Sequence, residues 1–291
     1  MWNIECDSSD RQPLTTHLGV AVNVISPSKD GKLVVTGDVD GNVVVWDSTL
    51  QKICETAERD GGTITALDVL STHRIASGSN DGTVVVWEMG PPGSPLVPGS
   101  TFKMESRGGS KGALVSAVAF SPTGNHIASV CADWGCCIEV WHIRTKHLIT
   151  SISSPGNPTR SLAWSNDGRR LFAGCDGGFI SCFDTVAGKP GFSKIIKPRP
   201  GDDSITSLFV SNSDQFLVSF SIWGRTVDIW DIRDTSACKH LHSFNRCVSA
   251  SVSLDNVFLA RSGVDSEISI QSLSGVVDTS YFFHVSGSKF H

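Results

Sequence analysis

The chain has 291 residues, 18% of them charged, and a formal net charge of −5 at pH 7. This mildly acidic balance lacks the concentrated positive charge of proteins that bind nucleic acids or anionic membrane surfaces, so we expect neither kind of partner. The 28 Gly residues and the many Val and Ser residues favour strands and turns over helices.

The N-terminal stretch MWNIECDSSDRQP has no basic region followed by an apolar run, so it does not resemble a secretory signal. No stretch approaches the roughly twenty apolar residues that a membrane span requires. The nine Cys residues are odd in number and irregular in spacing, which suits reduced thiols better than a disulfide framework. We therefore expect a cytoplasmic or nuclear protein.

Two segments of nearly the same form, VVTGDVDGNVVVWD at 34–47 and IASGSNDGTVVVWE at 75–88, stand 41 residues apart. Each follows an apolar, alternating run, which predicts strand, turn, strand, Gly-rich turn and strand, with a fourth strand before the next copy. Similar segments recur along the chain. The predicted units lie near 17–47, 60–88, 112–142, 155–184, 201–231 and 243–272, and the tail 273–291 holds one further strand.

Four short antiparallel strands repeated about every forty residues are typical of a β-propeller blade. The third strand ends in a Trp-Asp pair at Trp46–Asp47 and again at Trp230–Asp231, with decayed forms in the other units. Over about residues 17–272 the chain resembles the WD-repeat family. The resemblance implies one all-β propeller domain over residues 1–291, with six blades or with a seventh, incomplete blade built from both termini.

The resemblance also implies a buried polar network of His, Ser or Thr, Asp and Trp that braces a blade. Indole, hydroxyl, imidazole and carboxylate groups can satisfy one another in such a network. The first unit has all four members, His17, Thr36, Asp40 and Trp46. The second unit keeps three of them, Ser77, Asp81 and Trp87.

The later units lose members of this network. The third unit keeps Ser129, Asp133 and Trp141, the fourth has Ala173 and Phe183, the fifth keeps Ser219 and Trp230, and the sixth has Arg261 and Gln271. We therefore expect the first unit to be the best braced.

No recurrent motif indicates catalysis, a metal or a cofactor. The GGSKG stretch at 108–112 matches the pattern of a hydrolase nucleophile, but no helical pattern follows it. Cys136 and Cys137 are adjacent, so in a strand they face opposite sides and cannot both bind one metal ion. We expect no catalytic site, no metal site and no cofactor.

Trp134 and Trp223 fall in the turn after a second strand, which the resemblance places on the face of the ring where partners dock. Exposed Trp and Arg are enriched at binding hot spots, although each Trp could instead pack over its neighbouring blade. Arg225 follows Trp223, and Arg160 and Arg246 flank the start of a first strand. These five residues are the predicted partner-binding surface.

The leading hypothesis is a non-catalytic scaffold that binds a protein or peptide, for which exposed Arg residues would select an acidic segment. A second hypothesis is a regulatory sensor segment of a larger WD-repeat signalling protein. A propeller enzyme is the third, and the first strands, such as VSAVAF and ITSLFV, offer it no cluster of reactive groups. The oligomeric state stays open.

Overall fold

Short strands account for most of the described chain. In the computed structural model, the described residues are 19–28, 30–56, 62–71, 73–91, 93–104, 113–133, 137–153, 157–185, 192–196, 203–234, 238–252, 258–263, 267–272 and 283–286. These residues form 24 β-strands and no helix. Two predicted functional residues, His17 and Trp134, lie outside them.

The strands form six sheets, here called blades 1 to 6, each of four consecutive antiparallel strands. Blade 1 contains β1 (Val22–Pro27), β2 (Leu33–Asp38), β3 (Val43–Asp47) and β4 (Lys52–Glu55). Blade 2 contains β5 (Ile64–Ser71), β6 (Arg74–Ser79), β7 (Thr83–Glu88) and β8 (Val97–Lys103). Blade 3 contains β9 (Val115–Phe120), β10 (His126–Cys131), β11 (Cys137–His142) and β12 (His147–Ser153).

The second half of the ring repeats the arrangement. Blade 4 contains β13 (Thr159–Trp164), β14 (Arg170–Cys175), β15 (Ile180–Asp184) and β16 (Phe192–Ile196). Blade 5 contains β17 (Ile205–Val210), β18 (Phe216–Ser221), β19 (Thr226–Asp231) and β20 (Lys239–Phe244). Blade 6 contains β21 (Cys247–Val252), β22 (Phe258–Gly263), β23 (Glu267–Ser272) and β24 (Phe283–Ser286).

The predicted all-β propeller with four-stranded blades is confirmed. Six blades account for every described strand, and the tail supplies β24 as the fourth strand of blade 6. No described strand belongs to a seventh sheet.

The core lies between the blades, because each sheet has two apolar faces that only a neighbouring blade can cover. Val35 and Val45 of blade 1 pack in one cluster with Ile75 and Val85 of blade 2. Similar clusters join the four following pairs of blades, from 2 and 3 to 5 and 6. Burial of one aliphatic side chain contributes roughly 1.5–3 kcal/mol, so these boundaries are the main source of stability.

The turns between second and third strands define one end of the ring, here called the top face. Gly41 and Gly82 lie in these turns with φ of +87° and +86°, a conformation that Gly adopts without strain. In blade 1, Val39 is the first residue of the turn, and its N–H donates to the carbonyl of Ala21, the residue before the first strand, at 3.1 Å. Blades 2 to 5 repeat this bond. The turns therefore lie beside the starts of the first strands, as predicted.

A buried Ser closes the first strand at the opposite end, the bottom face. The hydroxyl of Ser28 accepts the N–H of Leu33 at 2.9 Å. The hydroxyls of Ser121, Ser165 and Ser211 each accept, in the same way, the N–H of the residue five positions later in the chain.

The hydroxyl–indole pairs of the polar network form in three blades. The indole N–H of Trp46 donates to Thr36 Oγ1 at 2.9 Å, and Trp87 donates to Ser77 Oγ at 2.8 Å. In blade 5, Trp230 donates to Ser219 Oγ at 3.1 Å. All three bonds are buried, so each satisfies a polar hydrogen inside the core.

The carboxylates of the network differ from the expectation. Asp40 is exposed at the tip of its turn rather than buried, because Asp38 closes that turn by accepting the N–H groups of Asp40 and Asn42. Asp81 is half-buried at the rim and accepts the N–H of Thr83 at 2.8 Å. Neither carboxylate reaches the hydroxyl–indole pair of its blade.

Blade 3 has the predicted Ser and Trp but not the bond between them. Ser129 Oγ and Trp141 Nε1 are both buried without a hydrogen-bond partner. The ring of Trp141 packs instead against Phe102 of blade 2, with 5.4 Å between the ring centroids. Aromatic packing across the blade boundary therefore sets the position of this indole.

We expect Ser77→Ala to destabilise the protein and Ser129→Ala to leave it unchanged or more stable. Loss of Ser77 leaves the buried indole N–H of Trp87 without an acceptor, which costs about 1–3 kcal/mol. Loss of Ser129 removes a hydroxyl that already has no partner. Urea unfolding of both variants measures the difference, and equal losses would contradict the distinction between the two blades.

Candidate functional site

A cavity of about 600 Å³ opens on the top face between blades 4 and 5. The residues that line it come from turns and strand starts of both blades. They are Asn157, Arg160, Asp176, Gly177, Ser204, Thr206, Ile222 and Trp223. Two predicted partner-binding residues, Arg160 and Trp223, therefore line one site although they are 63 positions apart in the chain.

One side of the cavity is an ion pair within blade 4. Nη2 of Arg160 lies 2.8 Å from Asp176 Oδ2, and Nε lies 3.1 Å from Oδ1, so the contact is bidentate. Ser204, at the entry to blade 5, donates its hydroxyl to Asp176 Oδ1 at 2.5 Å. The three side chains link the two blades below the cavity rim and fix the guanidinium in place.

The electrostatics of this wall follow from its contacts. Partial burial raises the pKa of Asp176, but hydrogen bonds from Arg160 and Ser204 and the charge of Arg160 outweigh it, so the pKa lies below the ordinary 3.8. Asp176 is therefore ionised at neutral pH and compensates the charge of Arg160. Arg160, a predicted partner-binding residue, therefore stands in the cavity wall as one half of an ion pair.

The opposite side of the cavity is an exposed apolar tip. Trp223 is 77% exposed and its neighbour Ile222 is 49% exposed, in the turn between β18 and β19. The hypothesis that Trp223 packs over a neighbouring blade is therefore wrong. Gly224 keeps this turn tight, because a Cβ there would stand 2.5 Å from an oxygen of Asp203.

Arg225 and Arg246 lie next to the same turn. The carbonyl of Arg225 accepts the N–H of Cys247 at 2.8 Å, which ties the turn of blade 5 to the start of β21. Both Arg side chains are exposed. The structure thus brings Trp223, Arg225 and Arg246 to one region of the top face.

Sequence reasoning missed Asp176 and Ser204, which position Arg160. One signal was available, because Asp176 occupies the Gly-rich turn directly after β14, beside the start of β13. In blades 1 to 5 this turn is bonded to the residue before the first strand. The opposite charges of Asp176 in the turn and Arg160 at the strand start could therefore have predicted the ion pair.

A Ser–His–Asp group on blade 5 was also missed. Asp228 Oδ1 lies 3.1 Å from His240 Nε2, and Ser243 donates its hydroxyl to the same carboxylate oxygen. Ser243 Oγ is 2.9 Å from that same imidazole nitrogen. A catalytic relay needs Ser and Asp on opposite nitrogens of the ring, so this group braces strands β19 and β20 instead.

Cys182 on blade 4 is poorly suited to nucleophilic chemistry. Burial raises the pKa of Cys182 to about 12, which keeps its thiol protonated at neutral pH. In the described ranges, no three His, Cys, Asp or Glu side chains stand close enough to hold a metal ion. The same part of the chain contains no helix with the length and apolar character of a membrane crossing.

The family described as "WD domain, G-beta repeat" matches residues 9–47, 52–88, 101–142 and 146–184. These four matches cover more than half of the chain. The last three begin at or beside the fourth strand of the preceding blade, namely β4, β8 and β12.

Two curated relatives resemble the chain over part of their length. Small ribosomal subunit protein RACK1y of Oryza sativa subsp. japonica is 27% identical over 176 residues, which cover 58% of this chain and 48% of that protein. Protein transport protein Sec31A of Danio rerio is 26% identical over 143 residues, which cover 46% of this chain and 11% of that protein. The chain therefore spans about half of the first relative and a small part of the second.

Solved structures show the same fold at low identity. The β-propeller domain of Cps50 (Swd1) from Myceliophteria thermophila aligns with a TM-score of 0.70 at 18% identity, over 94% of this chain and 90% of that one. A chain of the mitotic checkpoint complex aligns with a TM-score of 0.74 at 18% identity, over 92% of this chain and 82% of that one.

We expect Asp176→Asn to destabilise the protein at neutral pH and to have less effect in acid. The folded-state pKa of Asp176 is lowered, so its stabilisation is complete above the unfolded value of 3.8 and is lost as the pH falls through the lowered value. The difference in unfolding free energy between wild type and variant should be constant above about pH 5 and shrink below it. Chemical denaturation across this range measures it, and a difference independent of pH would contradict the assignment.

Proposed function

The chain belongs to the WD-repeat family of β-propellers, and we propose that it is a non-catalytic scaffold that binds a protein or peptide on its top face. A rigid ring with variable turns offers a broad binding surface without any reactive group. The buried, unreactive thiol of Cys182 and the absence of a relay at Asp228 support a binding role over catalysis.

The exposure of Trp223 is the observation that carries this proposal. Leaving a large aromatic side chain in water forgoes roughly 1.5–3 kcal/mol of burial, so the turn gains nothing for its own stability. Trp223 also stands at the mouth of a cavity, beside Ile222. An aromatic residue beside a pocket is the usual form of a binding hot spot.

The charges around the cavity support an acidic segment in the partner. Asp176 already compensates the charge of Arg160. Arg160 therefore acts as a fixed part of the cavity wall, and the ion pair sets the direction of its remaining N–H groups. Arg225 and Arg246 are exposed beside Trp223, and a carboxylate held there would lie next to the apolar contact. We propose that Trp223 provides affinity and that these two Arg residues select the charge.

A cytoplasmic or nuclear location fits the same proposal. None of the seven described Cys residues is in a disulfide, and six of them are buried. Cysteines outside disulfides are typical of proteins in reducing compartments.

We expect Trp223→Ala to leave the fold intact and to weaken partner binding about thirtyfold or more, as for a hot spot of about 2 kcal/mol. Affinity purification with quantitative mass spectrometry would compare proteins recovered by wild type and variant. The matched control is Ile149→Ala, which truncates an apolar side chain that is 49% exposed on β12, away from the cavity. Equal recovery by both variants would exclude Trp223 from the binding surface.

We expect the double variant Arg225→Ser, Arg246→Ser to lose selectivity for acidic peptides. Binding of fluorescent Asp- and Glu-containing peptides, and of Lys-containing counterparts, would be measured at two salt concentrations. Wild type should prefer the acidic set and lose affinity as salt rises. A wild-type preference for the Lys-containing set would contradict the proposed partner chemistry while leaving the role of Trp223 open to its own test.

A further inference from the structure

Arg160 and Thr206 occupy the same position in the first strands of two neighbouring blades. The first residue of β13 is Thr159 and that of β17 is Ile205, and each pairs with the last residue of the second strand of its blade. The next residue along the strand is Arg160 in blade 4 and Thr206 in blade 5. Both residues line the cavity on the top face.

In blades 1 to 3 the same position links neighbouring blades. Its residue is small and polar, and its side chain donates a hydrogen bond to the carbonyl of the first residue in the next blade's first strand. The three bonds are Asn23 to Ile64 at 2.8 Å, Thr65 to Val115 at 2.6 Å and Ser116 to Thr159 at 2.7 Å. At these boundaries the polar group is therefore used within the ring.

Blades 4 and 5 do not use the position in this way. Arg160 binds Asp176 of its own blade. The link to blade 5 comes from the following residue, Ser161, which donates to the carbonyl of Ile205 at 3.2 Å. Thr206 keeps a hydroxyl, but this hydroxyl has no hydrogen-bond partner among the described residues. The polar groups at this position in blades 4 and 5 are therefore available to a ligand.

The guanidinium of Arg160 has hydrogen-bonding capacity left after the ion pair. Its Nε and Nη2 donate to Asp176, whereas Nη1 has no partner in the described part of the chain. A guanidinium donates and cannot accept, so a ligand in contact with Nη1 must bring an acceptor oxygen. The ammonium group of a Lys residue has only donors, and it would also meet the positive charge of Arg160.

The charge of the cavity lining is balanced. Of the eight residues that line it, only Arg160 and Asp176 are charged, and they form an ion pair. A carboxylate that entered the cavity would bring a second negative charge close to Asp176 and would lose its own hydration. Such a charge is costly to bury unless it gains a partner of its own. The lining therefore favours an uncharged ligand group that can accept a hydrogen bond.

We propose that the cavity between blades 4 and 5 receives an uncharged carboxamide, the side chain of a Gln or Asn residue of the partner. A carboxamide offers an acceptor oxygen and two donor hydrogens without a charge. Its oxygen accepts from Arg160 Nη1, in a bond that the charge of the guanidinium strengthens. Its amino group donates to the hydroxyl of Thr206, and its aliphatic stem contacts Trp223 at the cavity mouth.

This inference rests on the proposed function and narrows the chemistry of the partner. The acidic residues that Arg225 and Arg246 select lie outside the cavity, beside the turn that carries Trp223. The carboxamide lies inside the cavity, where the charge is already balanced. The partner segment therefore has a Gln or Asn residue next to acidic residues.

Blocked amino acids test the ligand group on the full chain. The probes are the N-acetyl methylamides of Gln, Glu, Lys and Met, which share a backbone and differ in the end of the side chain. Titrations at neutral pH, followed by the NMR signal of the Trp223 indole, give their affinities. The Gln probe should bind about tenfold more tightly than each of the others. Equal binding of the four probes, a preference for another probe, or no saturable shift with the Gln probe would overturn the proposal.

Thr206→Val tests the second contact without disturbing the fold. The change removes a hydroxyl that has no partner among the described residues, so the Tm should stay near that of wild type. The Gln probe should bind about threefold more weakly. The matched control is Thr150→Val, at a half-buried Thr on β12 away from the cavity, which should leave the affinity unchanged. The same affinity in both variants would overturn the proposed contact.

Asp176→Asn tests the charge balance. The variant leaves the charge of Arg160 uncompensated, so the preference should move from the Gln probe to the Glu probe, whereas a purely structural role of Asp176 would weaken both probes alike. An unchanged preference would overturn the proposal. Recovery of partners by Trp223→Ala uses no probe, so the proposed function can hold even where the carboxamide fails.

Discussion

Apolar contact between neighbouring blades is the interaction on which the rest of the molecule depends. A twisted four-stranded sheet of this size has two faces to cover, and within the chain only another copy can cover them. Val35 and Val45 are fully buried because blade 2 provides that copy. The repetition in the sequence therefore reflects a physical requirement of the fold and carries no information about chemistry.

Hydrogen bonds refine this packing without being uniform around the ring. The hydroxyl–indole pair forms in blades 1, 2 and 5, whereas blade 4 replaces the indole with Phe183, which is fully buried. Blade 3 keeps both groups but leaves them unpaired, because Trp141 follows the aromatic contact with Phe102. Apolar packing thus tolerates loss of the polar network, since burial at each boundary far exceeds one net hydrogen bond of about 1 kcal/mol.

The rigidity of the ring allows its top face to hold groups that add nothing to stability. The ion pair of Arg160 with Asp176 and the bond from Ser204 lock one wall of the cavity, and the turn at Gly224 holds Trp223 out on the other. Binding surfaces benefit from such preorganisation, because side chains that are already fixed lose less entropy when a partner arrives.

The sequence by itself determined the architecture. Alternation with a period of two, the turns at Gly41 and Gly82 and the recurrence of one sequence unit about every forty residues predict four-stranded blades and their strand order. The resemblance to the WD-repeat family predicts in addition which turns and strand starts share the top face.

Only the tertiary structure decided what those residues contact. Asp40 is exposed because Asp38 closes its turn, the charge of Arg160 is compensated by Asp176 from another turn, and Trp223 stands in the open because no neighbouring blade covers it. Alternation fixes the face on which a side chain lies, but the distance to the next blade depends on the shapes of both surfaces. For that reason the fold could be predicted from a repeat, whereas the cavity could be found only in three dimensions.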